Sequence, residues 1–277
     1  MVFSNVLLVF MISFQFGMYR LMIDNTLQAF TGHMQVQAPG YKDDQKMRQT
    51  VPDVQGLASM LRDELASATI AARASTFVLA SSEERTYGIA VFGVEPEHES
   101  AVSSIPGLVT SGRFLADDSA EEIVIGAVLA RNLRVSVGDE LTLLGSGRDG
   151  SFSAAVVTVV GIFESGVQDI DRSIAELPLG FFQDVFYMEG SGHQVVISAP
   201  RLSEAVELQA RVERLLPADQ ELVVHRHGEA HQVHEDGDGV GAGELLEELA
   251  LAALEKLIHK LVGRIANTVF QFGYRLR

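Results

Sequence analysis

Hydrophobic and polar positions along this chain change period several times, and each change marks an element. Residues 1 to 23, "MVFSNVLLVFMISFQFGMYRLMI", are apolar almost throughout, with no charged side chain before Arg20. A bilayer crossing needs about 20 such residues. The stretch lacks the basic start and small-residue cleavage site of a signal peptide, so an uncleaved membrane helix is favoured over a signal peptide or a buried globular helix. The pattern then turns amphipathic through "DNTLQAF", and Gly32 stands where a helix end asks for a residue tolerant of positive φ. From His33 the period becomes two. Met34, Val36 and Ala38 alternate with His33, Gln35 and Gln37, which predicts a half-buried strand with a polar solvent face, closed by Pro39-Gly40.

Asp53 opens a helix that puts Val54, Leu57, Leu61 and Leu65 on one stripe. "TIAARASTFVLAS" and "TYGIAVFGV" read as strands joined by the turn "SSEER". "EEIVIGAVLARNLRV" reads as a short strand running into a helix, and "GDELTLLG" and "FSAAVVTVVGIFES" as two strands around the turn "GSGRDG". The opening theme then returns as strand "GHQVVISAP", helix "RLSEAVELQARVERLL" and strand "ELVVHRH". Two βαβ-like units around a strand-rich middle predict an α+β fold of two lobes. A β-rich lobe, about 83–166, is inserted into a βαβ-type lobe, and the whole domain covers 31–225. Residues 1–30 are the membrane helix and its extension, 226–243 a flexible linker, and 244–277 a C-terminal amphipathic helix.

In that last helix Leu246, Leu249, Ala253, Leu257, Leu261 and Ile265 form a stripe. Glu244, Glu247, Glu248, Glu255, Lys256, His259, Lys260 and Arg264 interrupt it. A charge at the bilayer centre costs about 2.5–3.5 kcal/mol, so the segment is expected not to span. Its stripe would pack on the residue 1–23 helix or the protein's own core, lie on a membrane surface, or self-associate.

Charge narrows the partners. With 21 basic against 37 acidic side chains the formal charge is −16, which repels phosphate backbones, so no nucleic-acid partner is expected. The absence of cysteine rules out disulfides, a thiol nucleophile and thiolate metal sites. His225, His227, His231 and His234 beside acidic residues have spacings that could hold zinc or nickel, but the surrounding glycines favour a solvated linker. The runs "GSGRDG" and "GDGVGAG" lack the Lys-Ser/Thr of a phosphate loop, and no G-x-S-x-G elbow occurs. Asp117, Asp118, Glu121 and Glu122 read as a solvated rim. We assign no catalytic, cofactor-binding or metal residues and no cofactor, and we expect a non-enzymatic protein.

"MIDNTLQAFTGHMQVQAPGY", "IAVFGVEPEHE", "VTSGRFLADDSAEEIVIGAVLARNLRVSVGDELTLLG" and "VVTVVGIFESGVQDIDRSIAELPLGFFQ" follow one another in order. This ordered set, covering roughly Val6 to Val224, resembles the bacterial ABC transporter permeases of the lipoprotein-releasing and macrolide-export type. The resemblance implies an inner-membrane permease with its main domain in the periplasm between the first two membrane helices. Its partners would be a cytoplasmic ABC ATPase subunit, a second permease copy or paralogue, and lipoprotein, lipid or other envelope cargo, with motion rather than chemistry as its contribution. Such permeases carry four membrane helices, whereas here 53 residues follow Val224 and their helical part is charged. The alternative is an extracytoplasmic binding or scaffold module anchored to the membrane.

Overall fold

The computed structural model describes residues 32–199, 204–217 and 220–226. The expected membrane helix at 1–30, the linker beyond residue 226, the 244–277 helix and His227, His231 and His234 lie outside them. Among the described residues no helix is long and apolar enough to cross a membrane.

Four strands and two helices make a flank. Strand β1 (Met34–Gln37), helix α1 (Val54–Glu64), strand β2 (Thr69–Ser81), strand β9 (Gln194–Ser198), helix α6 (Ala205–Leu215) and strand β10 (Val223–Arg226) assemble in the order β10-β1-β9-β2, every neighbour antiparallel. This is the split β-α-β arrangement of ferredoxin-like sheets. The α1 stripe is buried at all four expected positions, against Met34, Val36, Val195 and Ile197 in the same core cluster. Asp53 caps the helix by accepting from the Gly56 N–H, at a left-handed φ of 42°.

Between β2 and β9 the chain forms strands β3 (Thr86–Val94), β4 (Val109–Gly112), β5 (Glu122–Gly126), β6 (Glu140–Ser146), β7 (Phe152–Phe163) and β8 (Ile174–Pro178). Helices α2 (Pro96–Val102), α3 (Ala127–Leu133), α4 (Gln168–Ser173) and α5 (Leu179–Val185) lie among them. Pairing closes six strands into a ring: β2 to β3, β3 to β8, β8 to β5, β5 to β7, β7 to β6, and β6 back to β2. The β3–β8 and β5–β7 pairs are parallel and the other four antiparallel. The ring draws on β2 before residue 83 and on β8 after residue 166. Its inner wall alternates as period two requires, with Ala74, Val78, Ala80, Ile89, Val91, Leu141, Leu143, Ile123, Ile125, Val157, Val159, Ala175 and Leu177 all buried in the core. Phe182 and Phe186 of the α5 region join that core, and α3 docks at the β2–β3 turn, where Ser82 and Arg85 donate to its last carbonyls.

The core that begins under α1 therefore runs without a break into the ring, because β2 is shared. Its first residues, Thr69 to Arg73, pair with β9, and Arg73 to Ser81 pair with β3. The turn "GSGRDG" is the β6–β7 hairpin turn, with Gly150 at φ 84° and the Asp149 carboxylate accepting from Ser151. Gly32 has φ 66°, as its position demands, and a Cβ there would meet Val196 Cγ1 at 2.5 Å.

One expectation is corrected. β1 has no solvent face: His33, Gln35 and Gln37 are as buried as Met34 and Val36. The strand lies inside the sheet, between β10 and β9, and its polar face is buried, with Gln37 hydrogen-bonded to Gln35 and Gln194 and His33 to Ser198.

Candidate functional site: a buried polar seam at the shared strand

Opposite the α1 and α6 face, the sheet carries polar side chains that are nevertheless buried. In register across the strands lie Gln37 on β1, Gln194 on β9, Arg73 on β2 and Val94 on β3. Gln37 donates to Gln35 Oε1 at 2.6 Å and to Gln194 Oε1 at 3.2 Å. Arg73 is 0% exposed and forms a two-pronged ion pair with Glu99 of α2, itself 0% exposed; Arg73 Nε donates to Glu99 Oε2 at 3.2 Å. A bidentate fork satisfies both charges directionally, which a buried pair needs to offset desolvation.

One turn earlier Glu95 reaches the same strand. It accepts from the Ala72 N–H at 2.7 Å and pairs with Arg62 of α1. Two carboxylates at the start of α2 thus pin it onto β2 at the place where that strand changes partners. On the same face of α2, one turn beyond Glu99, Val102 packs with Ala71 and Val196.

Beside Arg73 the seam continues through Ser75. Its hydroxyl and the Tyr41 hydroxyl share a 2.7 Å hydrogen bond, and its N–H donates to His193 Nδ1 at 2.9 Å. The Tyr41 and His193 rings stack at 4.9 Å between centroids and 10° between planes. Burial pushes the His193 pKa down to about 4 and raises that of Tyr41, so the first stays neutral and the second stays a phenol.

Glu176 completes the seam from β8. It lies opposite Phe92 of β3 and Val124 of β5, is fully buried, and neither of its oxygens makes a hydrogen bond. Its pKa is raised well above the ordinary range by burial first and by the Glu99 charge second, while Arg73 pulls the other way.

Elsewhere, the four rim acids divide. Asp118 accepts from Gly180 N and Gln55 Nε2, tying α5 to α1, and Glu122 pairs with Arg113. Asp117 accepts from its neighbour Ser119, which lowers its pKa, and Glu121 is exposed. His225 lies on β10 opposite Gln35. No cluster of three potential metal ligands occurs among the described residues. Strands β2, β6 and β7 also present an outer wall on which Phe77, Leu79, Val156 and Phe152 are 54%, 50%, 49% and 73% exposed. A cleft of about 430 Å³, lined by Ser67, Thr69, Ser100, Ser103, Ser104 and Ser198 among others, opens beside the C-terminus of α2.

The split β-α-β flank holding a strand ring between its second and third strands defines a mixed α/β domain. The profile of the MacB-like periplasmic core domain matches residues 1–215, and this chain belongs to that family. It therefore carries a periplasmic domain of the kind found in ABC-type transporter permeases. Among solved structures, the fold is similar to the periplasmic region of MacB from Actinobacillus actinomycetemcomitans (TM-score 0.51, 13% identity, 74% of this chain and 93% of that one). It is also similar to the extracellular domain of the noncanonic ABC-type transporter YknZ from Gram-positive bacteria (TM-score 0.50, 15% identity, 70% of this chain and 98% of that one). No curated protein matches the chain in sequence.

Proposed function

We propose that this chain is a permease subunit, or a fragment of one, anchored in the bacterial inner membrane by residues 1–23. Its periplasmic domain would couple the motion of a cytoplasmic ATPase to export or release of lipoprotein, lipid or other envelope cargo. The observation that carries the reading is that the family match starts in the apolar segment and continues through the domain to residue 215. The partners in this reading are an ABC ATPase subunit and a second permease copy or paralogue. The chain supplies no catalytic group; it supplies a strand shared by flank and ring, β2, and a seam that holds α2 to it.

A second reading, an extracytoplasmic scaffold module without transport, is favoured by the charged helical pattern of 244–277. Affinity purification of the tagged full chain from its native membranes in mild detergent separates the two. The transport reading expects an ABC ATPase subunit in the eluate, and ATP hydrolysis that is lost when the chain is purified alone. Recovery of envelope proteins without an ATPase sinks it in favour of the scaffold, and hydrolysis by the isolated chain sinks the non-enzymatic assignment.

A further inference from the structure

Arg73 occupies a singular place in the topology. It is the last residue of β2 paired to β9 and the first paired to β3, so it stands where the flank becomes the ring. Glu99 brings α2 to that point, and Glu176 approaches it from β8, the ring strand that follows β3. Three ionisable groups thus influence one another in a dry junction that holds one cation and two carboxyls. Only one carboxyl, Glu99, is hydrogen-bonded to that cation; Glu176 has no hydrogen bond to any group.

Other charges nearby have partners of their own. On β5, Glu122 is paired with Arg113; on α4, Asp171 accepts from the Ser165 N–H and hydroxyl at 2.8 and 2.6 Å. Glu95 is held by Arg62 and Ala72 N. β3 contributes Phe92 and Val94 to this face, β8 adds no other ionisable group, and Tyr41 and His193 lie beyond Ser75. The charges acting on Glu176 are those of Glu99 and Arg73.

We infer that Glu176 is a proton-controlled wedge at the flank–ring junction: with its proton it lies neutral beside the Arg73–Glu99 pair, and without it the carboxylate competes with Glu99 for Arg73 and frees α2 from β2. The inference does not depend on the transport reading. An isolated carboxylate in a dry site is too costly to persist without a cation, and among the described residues the cation that acts on Glu176 is Arg73. Loss of the proton therefore forces a redistribution of hydrogen bonds at the strand that the two parts share.

The sign follows from proton linkage. Burial and Glu99 hold the Glu176 proton above the range where an ordinary Glu, near pKa ~4.3, gives it up. The closed junction binds one more proton than the opened one in that window, so its stability is full below the ordinary Glu range. It is lost as pH rises towards the folded value, the opening equilibrium growing about tenfold per pH unit.

Amide hydrogen exchange of α2 in the full chain, followed between pH 4.5 and 8.5 and corrected for intrinsic chemical exchange, reads this equilibrium. Wild type is expected to lose α2 protection with rising pH at that slope, and Glu176→Gln to be flat across the window. Parallel profiles for the two proteins overturn the inference. Two further measurements hold if Glu176→Gln fails to fold. In Glu99→Gln the cation is left to Glu176, so protection of the junction should rise with pH; the wild-type direction in that variant overturns the proposal. The infrared carbonyl band of a protonated carboxyl should persist in wild type above the ordinary glutamate range, and a spectrum without it has the same effect.

Discussion

Phe182 fixes how tightly the ring is filled, and its removal has a computable cost. The side chain is fully buried, lies against the β3 backbone so closely that a Cβ on Gly93 would fall 2.7 Å from its Cβ and Cγ, and packs on Phe186 at 4.6 Å between centroids. Neighbours this close-packed relax only partly into the space a phenyl leaves, so Phe182→Ala should cost about 3–5 kcal/mol. Some 0.5–1.5 of that belongs to the lost aromatic pair. Against a total of about 5–15 kcal/mol for a native domain, this is a large fraction. With a urea slope of about 2–3 kcal/mol per molar, the midpoint should fall by about 1–2.5 M. Urea titration of the full chain in mild detergent, followed by far-ultraviolet circular dichroism, is the assay. Phe152→Ala is the control: that ring is 73% exposed, and its loss should stay within about 0.5 kcal/mol. A Phe182→Ala midpoint no lower than that of the control would refute the packed-ring argument.

Two other perturbations probe the seam. His193, with its pKa lowered by burial to about 4, binds fewer protons folded than unfolded between that value and ~6.5. Its stabilisation is therefore present above pH ~6.5 and is lost as pH falls towards 4, by up to about 3 kcal/mol at ~1.4 kcal/mol per unit; subtracting the urea profile of His193→Gln from that of wild type should isolate this slope, and a flat difference would remove the assignment. Arg73→Met strands a buried carboxylate and should cost about 3–5 kcal/mol by the same titration, whereas Arg73→Met with Glu99→Met should recover most of it. Equal losses in the single and double variants would show that the pair is held by something other than its mutual charge.

Local pattern made much of the fold legible. The strands read at 69–81 and 86–94 and the stripe of α1 stand where period and capping put them, since each depends on contacts within its own segment or with its chain neighbour. β8 and α5 escaped because "IAELPLGFF" shows neither period clearly: β8 is buried on both faces, a continuous run with Glu176 in its middle. Gln35 and Gln37 suggested water because alternation reports a difference between two faces, not which medium each meets. Ring closure was out of reach, since it rests on the β2–β6 and β3–β8 pairings between distant segments. The seam was hidden for the same reason. Arg73, Glu99 and Glu176 lie far apart in the sequence with no motif linking them, and only the tertiary fold brings them to one point.

The position of β1 has a consequence for how the chain is made. Both of its edges are satisfied by strands from the far end of the domain, β9 and β10. β1 is complete at residue 37 and its second partner only at residue 226. At about 5–20 residues per second, the strand waits roughly 8–32 s for β9 and roughly 10–40 s for β10, while every strand of the ring except the N-terminal part of β2 can already close on itself. Assembly order is thereby written into connectivity: the inserted ring matures first, and the flank zips up last around a strand made before the rest of the domain.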